Sequence, residues 1–182
     1  MIKTRADVKR YLAIEKKLYI KQSFGKKLEQ YIMGEPMTKT YRFIKHMRFE
    51  AYHHNNSGFI HKLLYAYHRA IRTRLGVKLS VETADNVFAE GLMIWHTGNI
   101  VVNGHSKVGK NCMLHGSNCI GNNGLTSDCP VIGDNVRLGV GAKVIGGVTI
   151  ADNIKIAAGA VVVHSFLEEG ITIAGVPARK VK

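Results

Sequence analysis

An aliphatic residue returns at every sixth position through the second half of this chain. The residues in this register are Val102, Val108, Leu114, Ile120, Ile132, Leu138, Val144, Ile150, Ile156 and Val162. Position 126, a threonine inside the polar stretch from Leu125 to Pro130, interrupts the series. A period of six fits neither a heptad seam nor an alternating strand. It is typical of a parallel β-helix of hexapeptide repeats, in which each six-residue side contributes one inward residue.

Three such sides make one triangular coil, so residues about 18 positions apart stack at the ~4.8 Å spacing of parallel strands. The aliphatic residue is followed directly by glycine at Gly109, Gly121, Gly133 and Gly139, where a side chain would crowd the corner between two sides. The stack buries a continuous aliphatic column whose open ends need a cap. We therefore predict a mainly β chain with a hexapeptide β-helix.

The chain before the β-helix shows a helical period instead. From Phe59 to Leu75, apolar residues recur with the period of an α-helix, and Gly76 supplies a left-handed stop. We predict three or four helices in this part of the chain. The predicted domains are a helical region (1–78), the β-helix (79–167) and a C-terminal tail (168–182).

Neither the histidines nor the cysteines indicate a metal site. His54, His61 and His68 recur at heptad spacing, but a seven-residue step places consecutive imidazoles ~10 Å apart along a helix. The three cysteines are an odd number without a CxxC pair, which indicates neither a disulfide framework nor a zinc ribbon. We therefore predict reduced thiols and no metal.

The composition is that of a folded, strongly basic protein. The chain is 46% hydrophobic and carries 26 Lys and Arg against 13 Asp and Glu, a net charge of +13 that attracts anions. No nucleic-acid motif accompanies this charge, so we expect no nucleic-acid partner, and a merely solvated basic surface is the alternative to a bound anion. No apolar run reaches the ~20 residues of a membrane span, and the N-terminus does not resemble a secretory signal. We expect a cytoplasmic protein.

Upstream of the regular series, the six-residue register is broken. Val81 and Val87 lie six residues apart, but three residues out of register with Val102. The interruption falls at Gly91 to Asn99, GLMIWHTGN, which places a Trp-His pair beside glycines. We predict a functional site in this segment, because a break in a regular scaffold is where a site is expected.

Three segments of the chain, GLMIWHTGNIVVNG, PVIGDNVRLGVGAKVIGG and IAGVPARKVK, resemble the hexapeptide-repeat acyltransferases. Within that family the chain is most similar to serine acetyltransferases and to their relatives that O-acetylate sugars of surface polysaccharides. The resemblance implies a left-handed β-helix with an N-terminal α-helical cap, a homotrimer with sites between subunits, and acetyl-CoA as co-substrate. Such coiling is opposite to the usual handedness of parallel crossovers.

The resemblance places the catalytic base at His96, for which a packed surface histidine is the alternative. An imidazole suits the removal of a hydroxyl proton because its pKa lies near neutrality. The acceptor pocket is expected to include Trp95, His115, Asp128 and Cys129. His115 follows His96 by about one coil, and Cys129 is expected to line the pocket rather than act as a nucleophile. Glu82 is a candidate for orienting the base, with a solvated glutamate as the alternative.

Two of these positions depart from the serine acetyltransferases. The carboxylate that precedes their catalytic histidine, and helps to hold the amine of serine, is replaced by Trp95, whose indole offers a flat face for a sugar ring. The Arg-His pair of their loop is replaced by Asp128 and Cys129, which reverses the charge that would hold the serine carboxylate. We therefore predict a sugar as the acceptor.

Coenzyme A is expected to contact the later coils, by resemblance to sugar acetyltransferases of the same fold. The expected positions, with the small neighbours that keep the groove open, are Gly139, Val140, Gly141, Ala158, Val163, Arg179 and Lys182. Val140 and Ala158 are separated by one regular coil and should therefore stack. Arg179 and Lys182 would meet the phosphates as fixed cations, and a charged tail without that role is the alternative.

The leading hypothesis is an acetyl-CoA-dependent O-acetyltransferase (EC 2.3.1 class) that acetylates a sugar hydroxyl of a surface polysaccharide intermediate, with His96 as general base. The alternatives are a serine O-acetyltransferase of cysteine biosynthesis, a binding scaffold without catalysis, and a zinc carbonic anhydrase of the same fold. The carbonic anhydrase needs three convergent histidines, and His96, His105 and His115 lack the close H-x4-H spacing of that family.

Overall fold

The structure, a computed structural model, describes residues 1–181 and divides the chain into two compact units, Met1–Leu79 and a second unit that begins at Ser80. The first unit is helical. Its helices are α1 (Arg5–Tyr19), α2 (Phe24–Ile32), α3 (Pro36–His54) and α4 (Phe59–Leu79). Within the described residues, no helix is long and apolar enough to cross a membrane.

Helix α4 is longer than the sequence predicts. Gly76, the expected stop, lies inside the helix and is buried, and the left-handed conformation occurs at Ser80, with φ 52°. A glycine permits a helix to end but does not force it to end. Two residues of the predicted apolar stripe, Ile60 and Leu63, are 69% and 61% exposed. The apolar period therefore predicts the helix correctly but not its buried face.

Buried charges connect α3 to its neighbours. Arg48 of α3 and Glu15 of α1 have side chains only 1% and 0% exposed, and Arg48 Nη2 lies 2.6 Å from Glu15 Oε1. Glu50 of α3 pairs with Arg72 of α4, with 2.5 Å between Nε and Oε2. Specific ion pairs therefore accompany the apolar packing of the helical unit.

A row of four histidine rings lies between α3 and α4. This histidine cluster consists of His46, His53, His61 and His68. Nδ1 of His46 lies 2.9 Å from Nδ1 of His68, and Nδ1 of His53 lies 3.0 Å from Nδ1 of His61. The rings of His53 and His68 stack with centroids 5.6 Å apart. In each Nδ1 pair one ring donates and the other accepts, so at least one imidazole of each pair has to be neutral.

The second unit is a parallel β-helix with three faces. Its strands are β1 (Val81–Glu82), β2 (Met93–Ile94), β3 (Ile100–Val102), β4 (Lys107–Val108), β5 (Met113–Leu114), β6 (Cys119–Gly121), β7 (Val131–Ile132), β8 (Arg137–Leu138), β9 (Lys143–Ile145), β10 (Thr149–Ile150), β11 (Lys155–Ile156), β12 (Val161–Val162), β13 (Thr172–Gly175) and β14 (Ala178–Lys180). Face 1 contains β2, β5, β8, β11, β13 and β14. Face 2 contains β1, β3, β6, β9 and β12, and face 3 contains β4, β7 and β10. The chain passes repeatedly from face 1 to face 2 to face 3.

The inward aliphatic residues stack from coil to coil as the period predicts. In the later coils the partners are three six-residue sides apart, for example Leu138 with Ile156. Across the polar stretch the step is four sides instead, since Leu114 pairs with Leu138. A whole six-residue unit is therefore looped out around Thr126, and residues 122–128 are exposed. The missing aliphatic residue at position 126 is explained, because this position is not part of the buried column.

The register break upstream is an insertion of two residues. Ile94 pairs with Leu114 instead of Cys112, the residue one regular coil later. Eight positions separate Ile94 from Val102 where a regular side has six, and both residues are buried. The extra residues therefore lie within 95–101, inside the stretch that contains the Trp-His pair.

Strand pairing shows which residues of the first coil belong to the buried column. Val81 pairs with Ile100 on face 2, and the residue that bridges to Val108 is Phe88, not Val87. The insertion shifts the first coil relative to the others. Counting in sixes across it therefore assigns the wrong residue to the column.

Candidate active site

Four turns stack at the corner where the chain leaves face 1 and enters face 2. They comprise residues 95–99, 115–118, 139–142 and 157–160. The N–H groups of Ser117, Gly141 and Gly159 donate to the carbonyl oxygens of Gly98, Gly116 and Val140 at 2.9, 2.9 and 2.8 Å. These bonds join all four turns into one ladder, which we call the site corner because it carries most of the predicted site positions.

His96 lies on the first and longest of these turns. Its side chain is exposed, and the turn closes through Gly98 and Asn99, which have φ angles of 114° and 51°. A methyl group on Gly116 would lie only 3.1 Å from the carbonyl oxygen and 3.2 Å from Cβ of His96. The backbone of Gly116 therefore packs directly against His96. The imidazole of His96 is therefore exposed on a backbone that is fixed by packing.

Trp95 and His115 form a pair beside this histidine. Their ring centroids are 6.2 Å apart with an interplanar angle of 23°, and Trp95 is 46% exposed. The two residues are brought into register because the N–H of Trp95 donates to the carbonyl oxygen of Leu114. Because of the two inserted residues, His115 stacks on Trp95, and Gly116 takes the position against His96 where the sequence placed His115.

The predicted residues Asp128, Cys129 and Val163 lie at a different corner, between faces 2 and 3. Asp128 and Cys129 belong to the looped-out unit, and a methyl group on Gly147 would lie 2.8 Å from Cβ of Asp128. Val163 follows β12 of face 2 and is 41% exposed. Within one chain, these three residues are therefore not brought together with His96.

The expected coenzyme A positions also lie in more than one part of the β-helical unit. Gly139, Val140, Gly141 and Ala158 all lie on the site corner, and Val140 is 52% exposed. Gly139 has no room for a side chain, because a methyl group there would lie 2.6 Å from the backbone nitrogen of Ala158. Arg179 is exposed on β14, and its Nη1 donates to the carbonyl oxygen of Ala178. Lys182 lies outside the described residues.

Two further observations concern the site. Glu82, considered as a partner for the base, is exposed on β1 and pairs through its backbone with Val101 of face 2. Among residues 1–181, no three His, Cys, Asp or Glu side chains are arranged to hold a metal ion.

The site corner contains a buried polar residue that was not singled out from the sequence. Asn118 is fully buried inside the second turn of the site corner. The sequence does mark this residue, because it places an amide at a position where the other repeats carry smaller or aliphatic side chains.

Comparisons with known proteins agree with this architecture. Residues 129–164 match the family described as bacterial transferase hexapeptide (six repeats). The matched residues lie within the β-helical unit and show hexapeptide repeats in it. A curated serine acetyltransferase from Synechococcus elongatus is 33% identical over 92 residues, which cover 50% of this chain and 37% of that protein. Another, from Staphylococcus xylosus, is 34% identical over 93 residues, or 50% of this chain and 43% of that protein. The chain thus matches less than half the length of these relatives.

The fold of this chain is also found in solved structures. The crystal structure of serine acetyltransferase from Brucella abortus strain S19 aligns with a TM-score of 0.76 at 20% identity, covering 97% of this chain and 70% of that one. The likeness confirms the predicted fold, a left-handed hexapeptide β-helix preceded in the chain by a helical region. The similarity to the two curated serine acetyltransferases confirms the resemblance to that branch of the hexapeptide-repeat acyltransferases.

The predicted sugar acceptor is wrong. These curated relatives and this solved structure are serine acetyltransferases, the alternative that the sequence left open. The surface polysaccharide pathway and the glycan partner are withdrawn with it. The prediction relied on an indole at Trp95 and a reversed charge at Asp128. Losing two contacts of the serine enzymes does not create a sugar site, and two positions weigh less than similarity over 92 residues.

Proposed function

We propose that this chain is an acetyl-CoA-dependent serine O-acetyltransferase (EC 2.3.1 class) with His96 as the general base. The observation that carries the proposal is the site corner. It aligns an exposed histidine with the open Val140 and Ala158 turns in a single hydrogen-bonded stack. The similarity to serine acetyltransferases supports the choice of acceptor.

In the proposed reaction, the imidazole of His96 removes the proton from the serine hydroxyl while the oxygen attacks the thioester carbonyl carbon. The C–S bond then breaks, acetyl remains on the serine oxygen, and the imidazolium returns its proton to the departing coenzyme A sulfur. The turn ladder fixes the backbone of His96 through Gly116 and keeps the base in one place. Direct transfer needs neither a metal nor an acetylated cysteine.

On the cofactor side, we assign the pantetheine arm to the Val140 and Ala158 turns. Both turns expose small or short side chains and backbone groups, which suits a thin, amide-containing chain. Arg179, exposed on β14, is proposed to meet the phosphates together with Lys182. Val163 would contact the cofactor from the corner between faces 2 and 3.

The division of the predicted site over two corners supports a homotrimer. Asp128 and Cys129 lie at the corner between faces 2 and 3, and His96 lies at the corner between faces 1 and 2. A triangular prism brings such corners together when three copies pack side by side around a threefold axis. We therefore propose that the Asp128 loop of one subunit completes the His96 site of its neighbour. Light scattering should give three times the mass of the chain, and a monomer that turns over substrate would contradict this assembly.

We also propose a cytoplasmic location. The three cysteines are free, and Cys119 and Cys129 are partly exposed. Exposed thiols persist in a reducing compartment and tend to become oxidised outside it. Fractionation of cells that produce the protein tests this proposal, and recovery outside the cytoplasm would contradict it.

Release of the coenzyme A thiol in the presence of L-serine tests the reaction. His96→Ala should lower kcat by about 10²- to 10⁴-fold, the usual contribution of a general base, with little change in the thermal unfolding temperature. His54→Ala is the matched control, because His54 is also exposed but lies at the end of α3 in the other unit. Most of the activity surviving in His96→Ala would contradict the assignment of the base.

Trp95→Asp tests the proposed acceptor more directly. The substitution restores the carboxylate that precedes the histidine in serine acetyltransferases, and it gives the ammonium group of serine a charged partner. We expect the KM for L-serine to fall by roughly tenfold, the order of one charge-assisted hydrogen bond. Trp95→Asn, which supplies no charge, is the control. An unchanged KM in both variants would indicate that serine binds without contact to this position.

A further inference from the structure

The fifth residue of each six-residue unit also points into the β-helix. Outside the looped-out unit, these positions between Val102 and Val162 are Ser106, Cys112, Asn118, Pro130, Val136, Ala142, Val148, Ile154 and Ala160, and all are buried. Asn118 is the member of this series with a side-chain amide, and it is 0% exposed. Burial of an amide is unfavourable by roughly 1–3 kcal/mol unless its hydrogen bonds are made. Its presence therefore depends on the partners that it finds.

The amide of Asn118 connects two turns of the site corner. Its Oδ1 accepts from the N–H of Gly116 at 3.0 Å, within its own turn. Its Nδ2 donates to the carbonyl oxygen of Gly139 at 2.8 Å and to that of Ala142 at 3.3 Å, in the next turn. All of these partners are backbone groups of the corner that carries His96 and Val140.

The contacts of Gly116 relate this amide to the proposed base. The Gly116 backbone packs against His96, and the Gly116 carbonyl oxygen accepts from the N–H of Gly141 at 2.9 Å. Asn118 therefore fixes the turn on which His96 rests and, through Gly139 and Ala142, both ends of the turn that exposes Val140. A shift of ~1 Å between base and cofactor is enough to cost about a hundredfold in rate.

We infer that Asn118 is a positioning residue for the proposed acetyl transfer, which sets the spacing between the His96 turn and the Val140 turn. It touches neither substrate nor reacting atoms. The inference rests on the proposed function for its kinetic consequences, and on the hydrogen bonds alone for its structural ones. An asparagine that merely fills a turn would affect stability without affecting the kinetics or the position of His96.

Asn118→Val removes the three hydrogen bonds and replaces the amide with the side chain found at the equivalent Val136. Cys112→Val is the matched control, because it places valine at the same position of the preceding unit, at a corner without predicted site residues. We expect Asn118→Val to remain folded by circular dichroism while kcat falls about ten- to a hundredfold and the KM for acetyl-CoA rises. The control should keep the parent values. A folded Asn118→Val protein with parent kinetics would overturn the inference.

Asn118→Asp provides a signature that a structural role would not produce. A protonated carboxyl group is isosteric with the amide and supplies both an acceptor and a donor, whereas the ionised form lacks the donor. Its activity relative to the parent should therefore rise as the pH falls, so that protonation rescues the variant. A constant ratio at all pH values would contradict the role. This variant also serves if Asn118→Val fails to fold.

An NMR measurement separates this inference from the proposed function. The imidazole signals of His96 should shift in Asn118→Val and stay in place in Cys112→Val, whether or not L-serine is the acceptor. A parent protein that releases no thiol from acetyl-CoA with L-serine would reject the proposed function, while shifted His96 signals would still support the positioning role. Unmoved His96 signals in Asn118→Val would reject the positioning role, even in an active enzyme.

Discussion

The helical unit and the β-helix are each stabilised internally by a different kind of contact. In the helical unit, buried charges meet individual partners, as Arg48 does with Glu15. In the β-helix one aliphatic position repeats, and its members, such as Leu114 and Leu138, are 0% exposed and stack on residues like themselves. A substitution therefore removes a unique partner in the first unit and one of several equivalent residues in the second. The two units should respond to damage by different mechanisms.

Arg48→Met should produce the largest loss of stability. Arg48 donates to Glu15 from Nε at 3.1 and 3.2 Å and from Nη2 at 2.6 Å. Removal of one partner from a buried ion pair destabilises a protein by about 3–5 kcal/mol, since the remaining charge loses its compensation. Urea unfolding followed by the helical circular dichroism signal at neutral pH measures the effect.

The double variant Glu15→Leu with Arg48→Met tests the mechanism. Replacement of both charges by apolar side chains should recover most of the loss, because a buried pair is often no more stable than a well-packed apolar one. Lys39→Met, at an exposed position of the same helix, is the control. A loss below ~1 kcal/mol in Arg48→Met would show that this pair is not what holds α3 to α1.

Leu138→Ala should destabilise the β-helix by about 2–5 kcal/mol through a cavity between Leu114 and Ile156. Trp95 is the single tryptophan and lies in the β-helix, so its fluorescence reports on this unit. Val131→Ala, at a position 45% exposed, should change the unfolding free energy by less than ~0.5 kcal/mol. An equal effect of both substitutions would contradict the column as the source of stability.

The difference between repeated and single contacts also explains how much of the fold could be predicted from the sequence. The β-helix is visible in advance because its packing requirement recurs every six residues. The departures from the period, around Thr126 and within residues 95–101, mark the looped-out unit and the insertion at His96. Their lengths, however, follow only from strand pairing. The ion pair of Glu15 with Arg48 joins α1 to α3, which are separated in the chain by α2. Because this contact is not part of a repeat, no pattern in the sequence predicts it.

The candidate site, like the fold, could be predicted only in part. The resemblance supplied His96 and the cofactor positions. Asn118 stands out in the sequence as an amide at a position where the other repeats carry smaller or aliphatic side chains, but its role follows only from its hydrogen-bond partners. The register decides that His115 stacks on Trp95, and an insertion of two residues is enough to change that assignment. The acceptor was predicted wrongly, because Trp95 and Asp128 show which contacts are lost but not which contacts replace them.

Mild acid should weaken the helical unit more than the β-helix. Burial, followed by the charges of His46, His53 and Lys45, lowers the pKa of His68 from 6.5 to about 4. Burial also lowers the pKa values of His46 and His53. Because the folded state favours the neutral rings, this contribution to stability is complete above about pH 6.5, and it is lost as the pH falls toward about 4. An Nδ1 pair is lost when both of its rings are protonated, since both are then donors.

Urea unfolding at pH 7.5 and pH 5.0, followed by both signals, measures this difference. We expect the midpoint from the helical circular dichroism to fall more than the midpoint from Trp95 fluorescence. His68→Phe cannot be protonated and can still stack on Phe49, which packs against His68 with centroids 5.0 Å apart, so it should reduce the pH dependence of the helical signal. Equal shifts of the two midpoints, or full pH dependence retained in His68→Phe, would assign the acid sensitivity to groups other than the histidine cluster.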